Sequence, residues 1–131
     1  MSRLSESMLT RLLNVDGYWY LATPYSKYAS GLNEAAKEAC QVTDILIRLG
    51  VNVFSPVAHS HAIAANGQAD PLDHELWMRV DEPLMRAAHG LIVYRMPGWD
   101  SSVGVKMEVH CFVDAGKPVH HIGYPLEDLN V

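Results

Sequence analysis

Four short apolar runs, at residues 18–23, 51–55, 90–95 and 118–122, alternate along the chain with segments of helical period. No other feature narrows the fold so far. Runs of this kind, bounded by Pro24, Pro56 and Gly residues, suit strands buried on both faces. Between them, Leu32, Ala35, Ala39, Val42, Ile45, Leu46 and Leu49 recur at helical spacing, and Gly50 supplies a C-terminal cap. A second helix is expected over 72–88, kinked or split at Pro83. A third is expected over 103–115, ended by Gly116. The stretch 57–71 reads as a long loop with one helical turn, a candidate lid or specificity element.

Strand and helix in strict alternation imply a parallel sheet covered on both faces. Right-handed crossovers favour a flavodoxin-like three-layer α/β sandwich of four or five strands in the order 2-1-3-4. The chain has 131 residues, enough for one domain, expected at 18–131. Residues 1–17 read as an amphipathic helical extension. Its stripe of Leu4, Met8, Leu12 and Leu13 packs on the domain or on a partner subunit. The tail from 123 onward reads as short and polar.

Composition removes several classes of function. Charged residues make up 19% and apolar residues 49%, a globular balance. The net charge is -5 and the ten basic residues form no run, which argues against a nucleic-acid polymer as partner. No apolar stretch approaches the roughly 20 residues that span a bilayer, and the first residues lack a signal-peptide core. Cys40 and Cys111 are expected as buried, reduced thiols in a cytoplasmic protein.

In open parallel sheets, ligands bind beyond the carboxyl ends of the strands. The segments at those ends begin at Thr23, Ser55 and Met96. The last leads through Gly98, Trp99, Asp100 and Ser101 to Ser102, the expected N-cap of the third helix. Gly104 leaves its first turn open to a ligand, and free N–H groups there suit an anion. Glu108 lies one turn further on the same face, at the border of the apolar stripe. It is either a ligand-facing carboxylate or a structural ion-pair member. Asp70, Asp73, Glu75, Asp81 and Glu82 form an acidic stretch, most of it a solvated helix face. His59 and His61, two apart on an extended segment, are pocket hydrogen-bonding groups, loop residues, or Zn²⁺ ligands with His74 or Glu75. The metal reading lacks a third well-spaced ligand.

The pattern Ser102-x-Gly104-x-x-x-Glu108 after a strand and turn resembles the nucleoside 2-deoxyribosyltransferase superfamily, which includes nucleoside 5′-monophosphate N-glycosidases. Tyr20-Leu21-Ala22-Thr23-Pro24-Tyr25 resembles its opening strand and ligand-facing turn. Asp81, ahead of the strand at 90–95, matches its acidic residue. The segments 55–61 and 97–102 resemble a bacterial and phage branch. The chain departs from the family in having Ala88-His89 for Ala-Asp, and a longer Gly-Trp-Asp-Ser-Ser turn.

The resemblance implies cleavage of an N-glycosidic bond in a nucleoside or its 5′-monophosphate, by hydrolysis or transfer. It implies no cofactor and no metal. Glu108 then maps to the nucleophile and Asp81 to an acid or sugar-orienting carboxyl. Ser102 and Gly104 map to the phosphate or 5′-hydroxyl end, and Tyr25 and Trp99 to aromatic surface for the base. Thr23, Asp100, His59 and His61 complete the expected binding set. A homodimer or higher homo-oligomer is expected. The competing reading is a nucleotide-binding or sensing module with little turnover, in which Glu108 would pair with a cation such as Lys106. An electron carrier is disfavoured, because the first strand-to-helix turn lacks the Ser, Thr and Gly run suited to a flavin phosphate.

Overall fold

A computed structural model describes residues 2–128. Its elements run α1 (Glu6–Leu13), β1 (Trp19–Ala22), α2 (Leu32–Arg48), β2 (Val53–Phe54), α3 (Pro56–Asn66), α4 (His74–Ala87), β3 (Gly90–Tyr94), α5 (Val103–Asp114) and β4 (Val119–Ile122). The four strands form one all-parallel sheet in the order β2-β1-β3-β4, the flavodoxin-like arrangement expected from the alternation.

Strand pleat sorts the core into two layers. Trp19 and Leu21 of β1 pack with Ile92 and Tyr94 of β3 against Leu12, Val42 and Leu46, on the side of α1 and α2. Tyr20 and Ala22 pack with Leu91 and Val93 against Met85, Val105 and Phe112, on the side of α4 and α5. Both faces of the central strands are thus apolar, as the near-continuous hydrophobic runs require. Gly90 is fixed by crowding. A Cβ there would lie 2.6 Å from both the Trp19 ring and the Pro118 carbonyl oxygen.

The N-terminal stripe is spent within the same chain. Leu12 is fully buried, and the Trp19 indole N–H donates to its carbonyl at 2.9 Å. Burying such a leucine is worth roughly 1.5–3 kcal/mol. Leu4, Met8 and Leu9 pack around it, while Leu13 stays largely exposed. The tail is less polar in its role than its composition suggests. Leu126 is buried, its N–H donates to the Tyr94 hydroxyl at 2.9 Å, and it bridges Ser2.

Two further expectations are corrected, and a third, for Pro83, is narrowed from a kinked or split helix to a single one. The stretch 57–71 is mostly the helix α3. Ser55 caps it by accepting from the Ala58 N–H at 3.1 Å, and Pro56 sits in its first turn, where a missing N–H costs nothing. Its small residues give a weak apolar stripe, which hides the helix from periodicity. Pro83 lies inside one continuous α4, capped by Asp73. Cys40 and Cys111 are exposed rather than buried. No helix among the described residues is long and apolar enough to cross a membrane.

Candidate active site

A cavity of about 240 Å³ opens beyond the carboxyl ends of β1, β2 and β3. It is slightly smaller than the roughly 300–1,000 Å³ usual for small-molecule sites. This is the switch point of the sheet, where the chain passes to either side of β1 and β3. Each wall follows from local sequence. After β1, Thr23, Tyr25 and Ser26 reach the cavity. After β2, Pro56, Val57 and Ser60 of α3 do so. On α4, His74, Trp77, Met78 and Asp81 line it at i, i+3, i+4 and i+7, one helix face. On α5, Gly104, Met107 and Glu108 line it by the same rule, beside Ser102.

Ser102 is the N-cap, accepting from the Val105 N–H at 3.3 Å, so its own hydroxyl proton remains to be donated. A Cβ on Gly104 would meet only the Ser102 Oγ, at 3.9 Å. The protein therefore leaves that space to the cavity.

Two carboxyls dominate the electrostatics. Glu108 is 9% exposed, and burial pushes its pKa up to about 8; the neighbouring Asp81 charge adds to the rise, and the Tyr20 hydroxyl, a hydrogen-bonding neighbour, opposes it. Burial pushes Asp81 up to about 6, against the opposing charge of His59. Tyr20 is held far above the normal phenol range by burial and by both carboxyls, so it stays a neutral donor. None of the ion pairs among the described residues includes Glu108 or Asp81. Lys106 faces away, beside Trp99 and His110 on the other flank of α5.

Among the described residues, two buried side-chain polar atoms, Thr23 Oγ1 and Asp81 Oδ1, have no hydrogen-bond partner. Both belong to residues that line this cavity. An unpaired buried polar group costs roughly 1–3 kcal/mol, so such atoms mark a place for ligand donors and acceptors.

The expected site residues thus divide. Thr23, Tyr25, Asp81, Ser102, Gly104 and Glu108 come together in the cavity. His59 and His61 do not share a face, because helical residues two apart point in different directions. His59 packs on Phe54 at 5.4 Å between ring centroids and acts on Asp81 through its charge. His61 holds the Tyr25 hydroxyl, 2.7 Å from its Nδ1. Trp99 and Asp100 lie outside, on a separate cleft with Lys106, Val109 and His121. Tight turns at 96–101, with Gly98 at φ +83°, carry Trp99 onto His121 and under the Arg95 guanidinium, 4.7 Å from the ring. Among the described residues, no group of three His, Cys, Asp or Glu is placed to hold a metal ion.

Sequence reasoning missed Tyr20, Trp77 and Met78. Tyr20 had a signal. It carries a hydroxyl in a strand buried on both faces, and pleat puts it on the α5 side with Ala22.

Fold and cavity together define an α/β domain with a two-carboxyl pocket at the switch point of a parallel sheet. Residues 17–124 match the model of a domain of unknown function, DUF1937, and the chain belongs to that family. No curated protein matches the chain.

Proposed function

We propose that this chain cleaves the N-glycosidic bond of a nucleoside or nucleoside 5′-monophosphate through Glu108, in the manner of the nucleoside deoxyribosyltransferase-like enzymes its motifs resemble. The observation that carries the reading is the convergence of Glu108, Asp81 and Tyr20 in one cavity with no cation paired to either carboxyl. A sensing module would tolerate Glu108 fixed in an ion pair, and Lys106 is not so placed.

In the proposed reaction the Glu108 carboxylate attacks C1′ and the C1′–N bond breaks. Its electron pair goes to the base nitrogen, which takes a proton from Asp81. Water then attacks C1′, giving its proton to Asp81 and freeing Glu108; a second base in place of water gives transfer. Empty, the pocket keeps the shared proton on Glu108; the reactive form has it on Asp81, with the same total charge. The Tyr20 hydroxyl stabilises the Glu108 carboxylate by donating to it. Tyr25, steadied by His61, offers a ring edge and hydroxyl to the ligand.

The enzyme is proposed to work in the cytoplasm, where two exposed, unpaired cysteines stay reduced. It is also proposed to act as a homo-oligomer, supported by Val103 and Val113 exposed along one helix, α5. A monomer by light scattering at micromolar concentration contradicts that assembly. Chromatographic detection of free base, after incubation with a panel of ribo- and deoxyribonucleosides and their monophosphates, tests the reaction. Release from at least one member is expected. No release from any contradicts the reading.

A further inference from the structure

Among the described residues, the walls of the cavity carry two carboxyls and several hydroxyls, but no Lys or Arg side chain. Its one basic group is the His74 imidazole, set two turns away from Asp81 along α4. The nearest cations on α5 and its leading loop, Lys106 and Arg95, are committed elsewhere. Lys106 faces the other cleft, and Arg95 lies over the Trp99 ring and donates to His121. A phosphomonoester placed here would meet at least one carboxylate charge in a low-dielectric wall. Offsetting it are the α5 N-terminus, neutral donors and two imidazoles, His74 in the wall and His59, which acts on Asp81 through its charge, but no Lys or Arg side chain of the lining. Charges interact more strongly in such surroundings than in water. The ionised Asp81 Oδ1, unpaired and buried, calls for a ligand hydroxyl or amino donor, while the unpaired Thr23 hydroxyl can donate or accept.

We infer that the pocket selects its ligand by charge, taking a nucleoside without a phosphate and favouring a cationic base over its neutral counterpart. The inference rests on the glycosidic reading for the ligand class, but charge selection is read by binding and the reaction by turnover. A cationic base is also the better leaving group: it departs neutral with the C1′–N electron pair, and an Asp81 that is ionised from the start takes the proton of the attacking water.

The test uses adenosine, cationic 1-methyladenosine and adenosine monophosphate, with cytidine, 3-methylcytidine and cytidine monophosphate as a second set. Binding is measured by calorimetry on Glu108→Gln, which keeps the Asp81 charge and blocks attack at C1′. In at least one set the monophosphate should bind at least tenfold more weakly than the nucleoside, and the methylated cation at least as tightly. In Asp81→Asn, Glu108→Gln the gap between nucleoside and monophosphate should narrow severalfold. Competition binding on the wild-type protein gives the same order if a variant fails to fold. A monophosphate bound as tightly as its nucleoside in both sets overturns the inference, as does no binding by any of the six. Monophosphate cleavage in preference to nucleoside overturns charge selection and leaves the glycosidase standing. The expected binding order without base release from any substrate leaves charge selection standing and removes the glycosidase.

Discussion

Asp81 on α4 and Glu108 on α5 face one cavity, and the charge on Asp81 helps to hold the proton on Glu108. Two carboxyls in such a site titrate as a pair, and between their two steps the pair carries one proton. With Asp81 pushed up to about 6 and Glu108 to about 8, that window brackets neutral pH. The proposed reaction needs one carboxyl ionised and one protonated. A bell-shaped profile of kcat/KM is therefore expected, with limbs near those two values. The profile is the same whichever carboxyl holds the proton at rest. A rate that rises without limit above pH 9 contradicts the paired mechanism.

Stability should follow the same carboxyls. The folded pKa of Glu108, about 8, exceeds its ordinary value of 4.5, so the folded state binds the proton more tightly than the unfolded chain. That stabilisation is complete below the ordinary value and is lost as pH rises toward 8. Every tenfold gain in proton affinity on folding is worth roughly 1.4 kcal/mol. Asp81 adds to the same trend between 3.8 and about 6. Urea unfolding of the wild type should show falling stability from pH 5 to pH 8. Glu108→Gln should flatten the fall and be the more stable protein at pH 8. Parallel curves for the two proteins contradict this account of the buried carboxyl.

Gly104→Ala should separate stability from function. No protein atom obstructs the added methyl, and alanine replaces glycine within a helix at a gain of up to about 1 kcal/mol. The methyl projects into the cavity, so ligand affinity should fall at least tenfold while the melting temperature holds or rises. Unchanged affinity in a well-folded variant places the ligand away from the first turn of α5.

His61→Ala should act through Tyr25. Losing the 2.7 Å hydrogen bond frees the phenol, at a net cost of about 1 kcal/mol. KM should rise several-fold with kcat nearly unchanged, and His61→Gln should recover part of the loss. A fall in kcat of two orders of magnitude with KM constant makes His61 part of the chemistry rather than a support for Tyr25.

The sheet order was legible because strand and helix periods alternate cleanly and parallel crossovers have one hand. The cavity face of α5 was legible because Ser102, Gly104 and Glu108 obey helix spacing and cap chemistry. Asp81 stood out from its acidic neighbours only by resemblance, yet it is the one of them that lines the cavity, four residues beyond Trp77 on the same face. What stayed hidden depended on tertiary placement. The helix α3 shows little apolar periodicity, so sequence alone puts the two histidines on an extended segment, with a common face that they lack in the helix. Trp99 carries the right chemistry for a base, but two tight turns take it to the opposite flank of α5. Local sequence does not encode which side of a helix a preceding loop will fall on.

The central claim is that Glu108 attacks the sugar, and turnover in Glu108→Gln tests it most directly. The substrate is the one found in the panel of nucleosides and monophosphates, and folding is checked by the melting curve. The account predicts that base release falls by several orders of magnitude while the dissociation constant changes less than tenfold. Near-normal base release from a folded Glu108→Gln protein contradicts it.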